Sequence, residues 1–316
     1  MFTVYKKWKG DLYDFTDIVG SIEMRSNSSE IAESVTMEIS QRYINESNVV
    51  VIFENDNIIF EGVVTTISYT GEKLNTAILF DYGWYLNKSE DIYQFNDNID
   101  ICIKKILDDY EIPYSYIENI PLNYNKISKG ALSEIIKELL EYATKTTGIK
   151  YIWGMNNNRF YLEKQTDNVV VYRTSYFNSN VDVTKLLNKT ATINRNIENL
   201  KNSIKVVSEE ENGIQVLSLK EDKASIDLYG KLQKIEILSD EEKNNANSIG
   251  NNQLKSLNKI EDTLTCILPG NMECKANKIL NIVNKTMDID DKYIIRSCIH
   301  QISKKGHTMD LELEVI

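Results

Sequence analysis

Val49-Val50-Val51-Ile52-Phe53-Glu54-Asn55-Asp56-Asn57-Ile58-Ile59-Phe60-Glu61-Gly62-Val63-Val64-Thr65-Thr66-Ile67 decides the fold class. Two runs rich in β-branched and aromatic residues flank the polar turn Glu54-Asn55-Asp56-Asn57. Branching at Cβ suits a pleated surface better than a helix. The stretch therefore predicts a β-hairpin. Upstream, Val35-Thr36-Met37-Glu38-Ile39 alternates apolar and polar, the period of a half-buried strand. Downstream, Thr76–Tyr82 adds a further strand. Residues 1–95 are expected to form a first β domain, a sandwich or barrel.

The period then changes. Ile99, Ile103, Ile106, Leu107 and Tyr110 follow helical spacing, with Asp97 or Asn98 as cap and Pro113 as terminator. Leu132, Ile135, Ile136, Leu139, Leu140 and Ala143 repeat the pattern up to Gly148, a C-terminal cap residue. Ile149–Trp153 and Arg159–Glu163 read as two strands around the Gly154–Asn158 turn. Residues 96–165 are thus a small helix–helix–hairpin α/β insert, whose apolar stripes are core.

Beyond 166 the strand pattern returns. Asn199–Ser208 and Ile214–Leu219 flank Glu209-Glu210-Glu211-Asn212-Gly213, and Asn-Gly is a hairpin signal. Ile226–Gly230 and Leu232–Leu238 are expected as strands. Ser239 with Glu242 forms a capping box, followed at helical spacing by Ala246, Ile249, Gln253, Leu257 and Ile260. Leu264–Leu268, a Pro269-Gly270 turn, Lys278–Val283, Lys292–His300 and Thr308–Val315 complete the chain. Residues 166–316 are expected as a second β domain with a helix embedded at about 239–257. The fold class is α+β, mainly β.

Composition narrows the function. The 316 residues carry 36 Lys and Arg against 47 Asp and Glu, a net charge of −11. Wrapping nucleic acid or docking on anionic lipid needs clustered cations, so neither is expected. Two His and 13 Gly leave little for acid–base catalysis or a phosphate-cradling loop. Four Cys make no disulfide scaffold, and reduced thiols in the cytoplasm are expected. The N-terminus carries charge without an apolar run behind it, so no leader is expected. The balance favours a structural or binding role over an enzyme.

Three constellations could carry chemistry. Cys266, Cys274, Cys298, His300 and His307 hold metal-ligand types, but Cys266 and Cys274 are eight apart, outside zinc-ligand spacing. Cys298 and His300 share a strand face, a poor geometry for a nucleophile and its base. Three buried thiols and a surface His are the preferred reading. Asp288, Asp290 and Asp291 suggest a calcium loop, but Tyr293 and Ile299 stand where it needs Gly and Glu. A polar turn between strands is expected there. Glu209-Glu210-Glu211 reads as a solvated turn, and paired carboxylates among so many acids identify no glycosidase. No catalytic, cofactor or metal residue is assigned.

Phe80-Asp81-Tyr82-Gly83-Trp84-Tyr85-Leu86-Asn87-Lys88, followed by Tyr93 and Phe95, resembles the XkdQ/YqbQ-type (late control D-like) hub proteins of contractile phage tails and tail-like particles. Ala131–Ile136 leading to Gly148–Tyr151 is similar to that family's middle domain. Ala224-Ser225-Ile226-Asp227-Leu228-Tyr229-Gly230-Lys231-Leu232-Gln233 resembles its Ser-Ile-x-x-Tyr-Gly-x-Leu-Gln element. Tyr293–His300 with His307–Leu313 resembles its closing hairpin, which makes His300 and His307 pattern residues of that hairpin.

The resemblance implies two tail-tube-like β-barrel or sandwich domains with a small α/β domain inserted. Three copies would present six β domains, so a homotrimer could meet a hexameric tail tube on one side and a trimeric central spike on the other. Tail tube, spike and tape-measure proteins are the implied partners, and the tail tip is the implied location. No fused hydrolase is expected. An acidic channel would let phosphates slide. The alternatives are a tail-tip cell-wall hydrolase, which would need a cleft with two convergent carboxylates, and a receptor- or sugar-binding module, which would need a groove of exposed aromatics.

Overall fold

A computed structural model of the chain describes residues 2–71, 74–165, 170–173, 189–210, 213–284 and 289–316. The N-terminal part comprises β1 (Phe2–Trp8), β2 (Asp11–Asp14), β3 (Val19–Asn27), β4 (Ser34–Ile39), β5 (Val49–Glu54), β6 (Asn57–Ser68) and β7 (Asn75–Phe80). The β5–β6 hairpin forms as the sequence requires. Its turn is tighter than expected: Asn55 and Asp56 alone turn the chain, both at positive φ. This left-handed geometry matches strand twist and suits Asn and Asp. In β4, Val35, Met37 and Ile39 are wholly buried and the polar residues between them are not, as the alternation demanded.

The chain goes on through α1 (Gly83–Lys88), β8 (Glu90–Gln94), β9 (Asp97–Asn98) and α2 (Ile99–Asp109). It continues with β10 (Tyr114–Ile117), β11 (Asn123–Tyr124), β12 (Ile127–Ala131), α3 (Leu132–Thr147), β13 (Tyr151–Asn156) and β14 (Arg159–Lys164). The apolar stripes of α2 and α3 face each other in one core with Tyr93, Phe95 and Phe160. Tyr93 and Phe95 stack with ring centroids 5.2 Å apart. No side chain caps α2; the Ile99 amide donates to the Leu122 carbonyl instead. Gly148 ends α3 in the left-handed region, as its position implied.

The remaining strands are β15 (Val170–Arg173), β16 (Thr192–Asn196), β17 (Ser203–Glu210), β18 (Gly213–Glu221), β19 (Gln233–Leu238), β20 (Glu261–Pro269), β21 (Ile279–Asn284), β22 (Ile289–Ser303) and β23 (Gly306–Val315). Two helices lie among them, α4 (Lys223–Tyr229) and α5 (Ala246–Leu257). α4 corrects the expected strand at Ile226–Gly230. Asp222 accepts a hydrogen bond from the Ser225 amide, which nucleates one short helix, and Gly230 releases it at positive φ. The Ser239–Glu242 capping box is present, but it opens a 3₁₀ turn over Asp240–Asn245, and α5 follows. Ile260 lies beyond α5.

Both β-rich flanks run into one 13-stranded sheet, with main path β16-β20-β23-β22-β3-β4-β7-β6-β5-β1-β2. The joint is the antiparallel pair β3–β22, in register from Ser21↔Ser303 to Asn27↔Ser297. The two flanks also share a core. Met272 and Ile302 pack with Val4, Phe15, Met24, Met37 and Leu79. A second core, with Leu264, Leu280, Ile295 and Leu311, lies within the C-terminal strands. Residues 203–257 build a separate three-stranded sheet, β18-β17-β19, with α5 on one face.

Candidate assembly site

The Phe80–Lys88 motif is a clasp. Asp81 is buried, and its carboxylate accepts the amides of Glu33 at 3.0 Å and Gly83 at 2.9 Å. Burial, with Glu33 nearby, pushes its pKa well above the usual carboxylate range. A Cβ at Gly83 would stand 3.0 Å from Ala32 and from the Ile31 carbonyl, so glycine lets α1 approach this backbone. The Tyr82 amide donates to Asn158 on the β13–β14 turn at 3.2 Å. Lys275 pairs with Glu33 at 2.8 Å. The motif therefore ties the N-terminal strands, the insert and the 270–277 loop together. Beside it opens a cleft of about 440 Å³ lined by Glu33, Tyr161, Glu163, Glu273, Lys275 and others. Asp81, whose pKa is raised, is sealed and bonded to two amides.

The histidines form a second lock. His300 is buried, correcting the surface position expected for one His, and His307 is half-buried. His300 Nε2 lies 2.8 Å from the Cys274 carbonyl and Nδ1 lies 3.0 Å from His307 Nε2. The carbonyl can only accept, so Nε2 of His300 carries the proton and Nδ1 accepts from His307. Phe2 meets the His307 ring edge-on at 5.4 Å. Burial lowers the His300 pKa to about 4, reinforced by His307 and Lys275, and burial lowers that of His307 as well.

Cys266, Cys274 and Cys298 are buried in one cluster. Cys298 Sγ lies 3.2 Å from His300 Nε2 and donates to the Cys274 carbonyl. Burial pushes its thiol upward, so it is protonated at neutral pH. Its neighbouring Nε2 holds a proton and cannot serve as base. Among the described residues, no group of three or more His, Cys, Asp or Glu is placed to hold a metal ion.

Other flagged acids sit in strands. Glu209 and Glu210 end β17, paired with Ile214 and Gly213 in the hairpin; Glu211 and Asn212 lie outside the described residues. Asp290 and Asp291 pair with Val283 and Ile282 inside the β21–β22 ladder, which corrects the expected turn. Asp288 lies outside the described residues.

One surface was not flagged by sequence. In β19 the register turns Glu236 inward and Ile235 and Ile237 outward, the reverse of ordinary amphipathic burial. Burial alone would raise the Glu236 pKa, but hydrogen bonds from Gln253 and Lys145 bring it below the usual range. Lys145 belongs to α3, so the three-stranded sheet is fastened to the insert. Asn252 of α5 adds hydrogen bonds to the Lys145 and Thr146 carbonyls, each 3.1 Å. The large sheet also ends on two exposed strands, β2 and β16. No helix of the described residues is long and apolar enough to cross a membrane.

This architecture, a long mainly antiparallel sheet interrupted by an α/β insert, is that of phage tail proteins. The 43 kDa tail protein of prophage MuSo2 from Shewanella oneidensis is similar, with a TM-score of 0.69, 10% identity and 98% of each chain covered. A tail protein from Neisseria meningitidis MC58 is similar with a TM-score of 0.70 and 12% identity, over 99% of this chain and 96% of that one. The E. coli c3393 protein, a component of the type VI secretion system, is similar with a TM-score of 0.54 and 9% identity, over 94% of this chain and 73% of that one. No curated protein matches the sequence. The chain belongs to the YqbQ-like family, which it matches over residues 22–314.

Proposed function

We propose that this protein is the structural hub of a contractile-tail baseplate, placed at the tail tip between the hexameric tube and the trimeric spike. The observation that carries this is the fold shared with a prophage tail protein across 98% of both chains. The c3393 protein, a type VI secretion system component described as structurally similar to the T4 tail proteins gp27 and gp5, has a similar fold. In the hub, three copies surround the axis, and the β-rich parts 1–95 and 166–316 supply two tube-like units per copy around the 96–165 insert. The tape-measure protein is a further partner. The role needs rigid joints and no reaction centre. The Asp81 clasp, the histidine lock and the Glu236–Lys145 link all join one part of the chain to another.

Purified particles test the assignment. Antibody against the chain should label one end only, with three copies per particle, and loss of the chain should leave tubes without a spike. Label along the whole tube, or clearing of cell walls by the purified chain, would sink it.

A further inference from the structure

A second cleft, of about 540 Å³, lies between the insert and the small sheet, lined from α3 and β13 on one side and from β19 and α5 on the other. That volume falls in the range of about 300–1,000 Å³ usual for ligand sites. Its lining holds the lysines Lys137, Lys145, Lys150 and Lys234 against one acid, Glu141. In a chain of net charge −11 this is a local reversal of sign. The carboxylates at hand do not offset it. Lys145 and Lys234 share the single carboxylate of Glu236. Lys137 reaches Glu141 only at 4.0 Å, with both side chains exposed. Lys150 makes no ion pair among the described residues. Desolvation in the cleft lowers its pKa, Lys259 and Arg296 add to this, and Glu314, which opposes it, is itself paired with both of those cations.

The rest of the cleft is prepared for an anion. α3 ends there, and its free carbonyls would repel negative charge. They are taken up: the Gly148 amide donates to Thr144, and Asn252 donates to Lys145 and Thr146. Tyr151, Trp153 and Leu257 supply apolar surface beside the lysines. Gln253 lines the same cleft at 7% exposure; its Nε2 donates to Glu236, and its Oε1 is buried with no partner among the described residues. The matching group for such an open acceptor is an incoming N–H.

We infer that this cleft binds an acidic peptide segment of a partner protein, its carboxylates set against Lys150 and Lys234 and its apolar side chains against Tyr151 and Trp153. Charge selects an acidic ligand, and the form of the cleft selects a peptide over nucleic acid. A nucleic-acid site is a basic stripe or face, whereas these cations are confined to one cleft of a chain whose overall charge repels phosphate. Apolar walls suit side chains, and the Gln253 acceptor suits a backbone amide. The inference does not rest on the hub role.

Fluorescence anisotropy of a labelled Glu-Glu-Leu-Glu-Glu peptide, titrated with the full chain, tests it. The expected result is saturable binding that weakens between about 50 and about 300 mM salt. Lys150→Glu should weaken it at least about fivefold and Lys234→Gln about twofold to fivefold. Lys129→Gln, on an exposed side chain of β12, should leave it unchanged. Lys150 is exposed, so its replacement spares the cores, which thermal melting of each variant checks; Lys150→Gln serves where the reversed charge disturbs folding. A Gln-Gln-Leu-Gln-Gln peptide, an oligothymidylate and inorganic phosphate, each at matched concentration, should fail to displace the acidic peptide. No binding up to about 1 mM, binding indifferent to Lys150 and Lys234, or displacement by any of the three competitors overturns the proposal; displacement by oligothymidylate would assign the cleft to nucleic acid, and by phosphate to an adventitious ion only.

Discussion

Lowering the pH from 8 to 5 should weaken the fold by about 2 kcal/mol through His300 alone. Burial, reinforced by His307 and Lys275, lowers its pKa from 6.5 to about 4. Unfolding returns the imidazole to about 6.5. At pH 5 the unfolded side chain is therefore almost fully protonated and the folded one scarcely so. The folded state binds fewer protons, so stability falls as pH falls. The loss begins near pH 6.5 and levels off below about pH 4, at about 3 kcal/mol. Geometry adds to the penalty: Nε2 of His300 is committed to the Cys274 carbonyl, and a proton on Nδ1 would either face the His307 N–H at 3.0 Å or force His307 to change tautomer. Glu23, Glu236, Glu242 and Glu314 have lowered pKa values and give up their stabilisation only at more acid pH. Asp81, with its raised pKa, works in the opposite sense. Urea unfolding at steps between pH 8 and 5, on the natural chain and on His300→Gln, separates these contributions. The variant should lose roughly 1–2 kcal/mol less than the natural chain over that range. Parallel pH profiles for the two would refute the reasoning.

Two further outcomes follow from the locks. Gly270→Ala should destabilise by about 1–3 kcal/mol, since a Cβ there would overlap the His307 ring, itself held by Phe2 and His300; an unchanged melting temperature would contradict this. Asp81→Ala should cost about 1–3 kcal/mol by orphaning the Glu33 and Gly83 amides, and Asp81→Asn less, since it keeps one acceptor. Amide exchange at Glu33 and Gly83 reads this locally, and equal protection in all three chains would dismiss the clasp.

What the sequence revealed was periodicity; what it concealed was partnership. The alternation at Val35–Ile39 and the stripes of α2 and α3 place their apolar faces in cores, because burial is a property of single side chains. α4 escaped because it is seven residues long and buries none of them, leaving only the Asp222 cap as a signal. In β19, alternation was visible but pointed the wrong way, since the polar Glu236 finds Lys145, some 90 positions earlier, only in the folded chain. The shared face of Cys298 and His300 was legible from their spacing. His307 and the Cys274 carbonyl were not, because a tight turn and a separate loop bring them there. Nor does any local pattern say that β3 pairs with β22.

That last pairing governs how the chain can be made. The first seven strands end at Phe80, yet their core is closed by Met272 and Ile302, and Glu23 bonds to Gln301 across 278 positions. At synthesis rates of about 5–20 residues per second the emerging N-terminal strands wait about 10–45 s for the last of these residues. Until then β3 offers an unpaired edge to any neighbouring nascent strand. Contacts of such sequence separation also slow the final search. The joint that stiffens the finished protein is thus the last to close, and the ribosome-bound chain is the stage at which a chaperone would matter most.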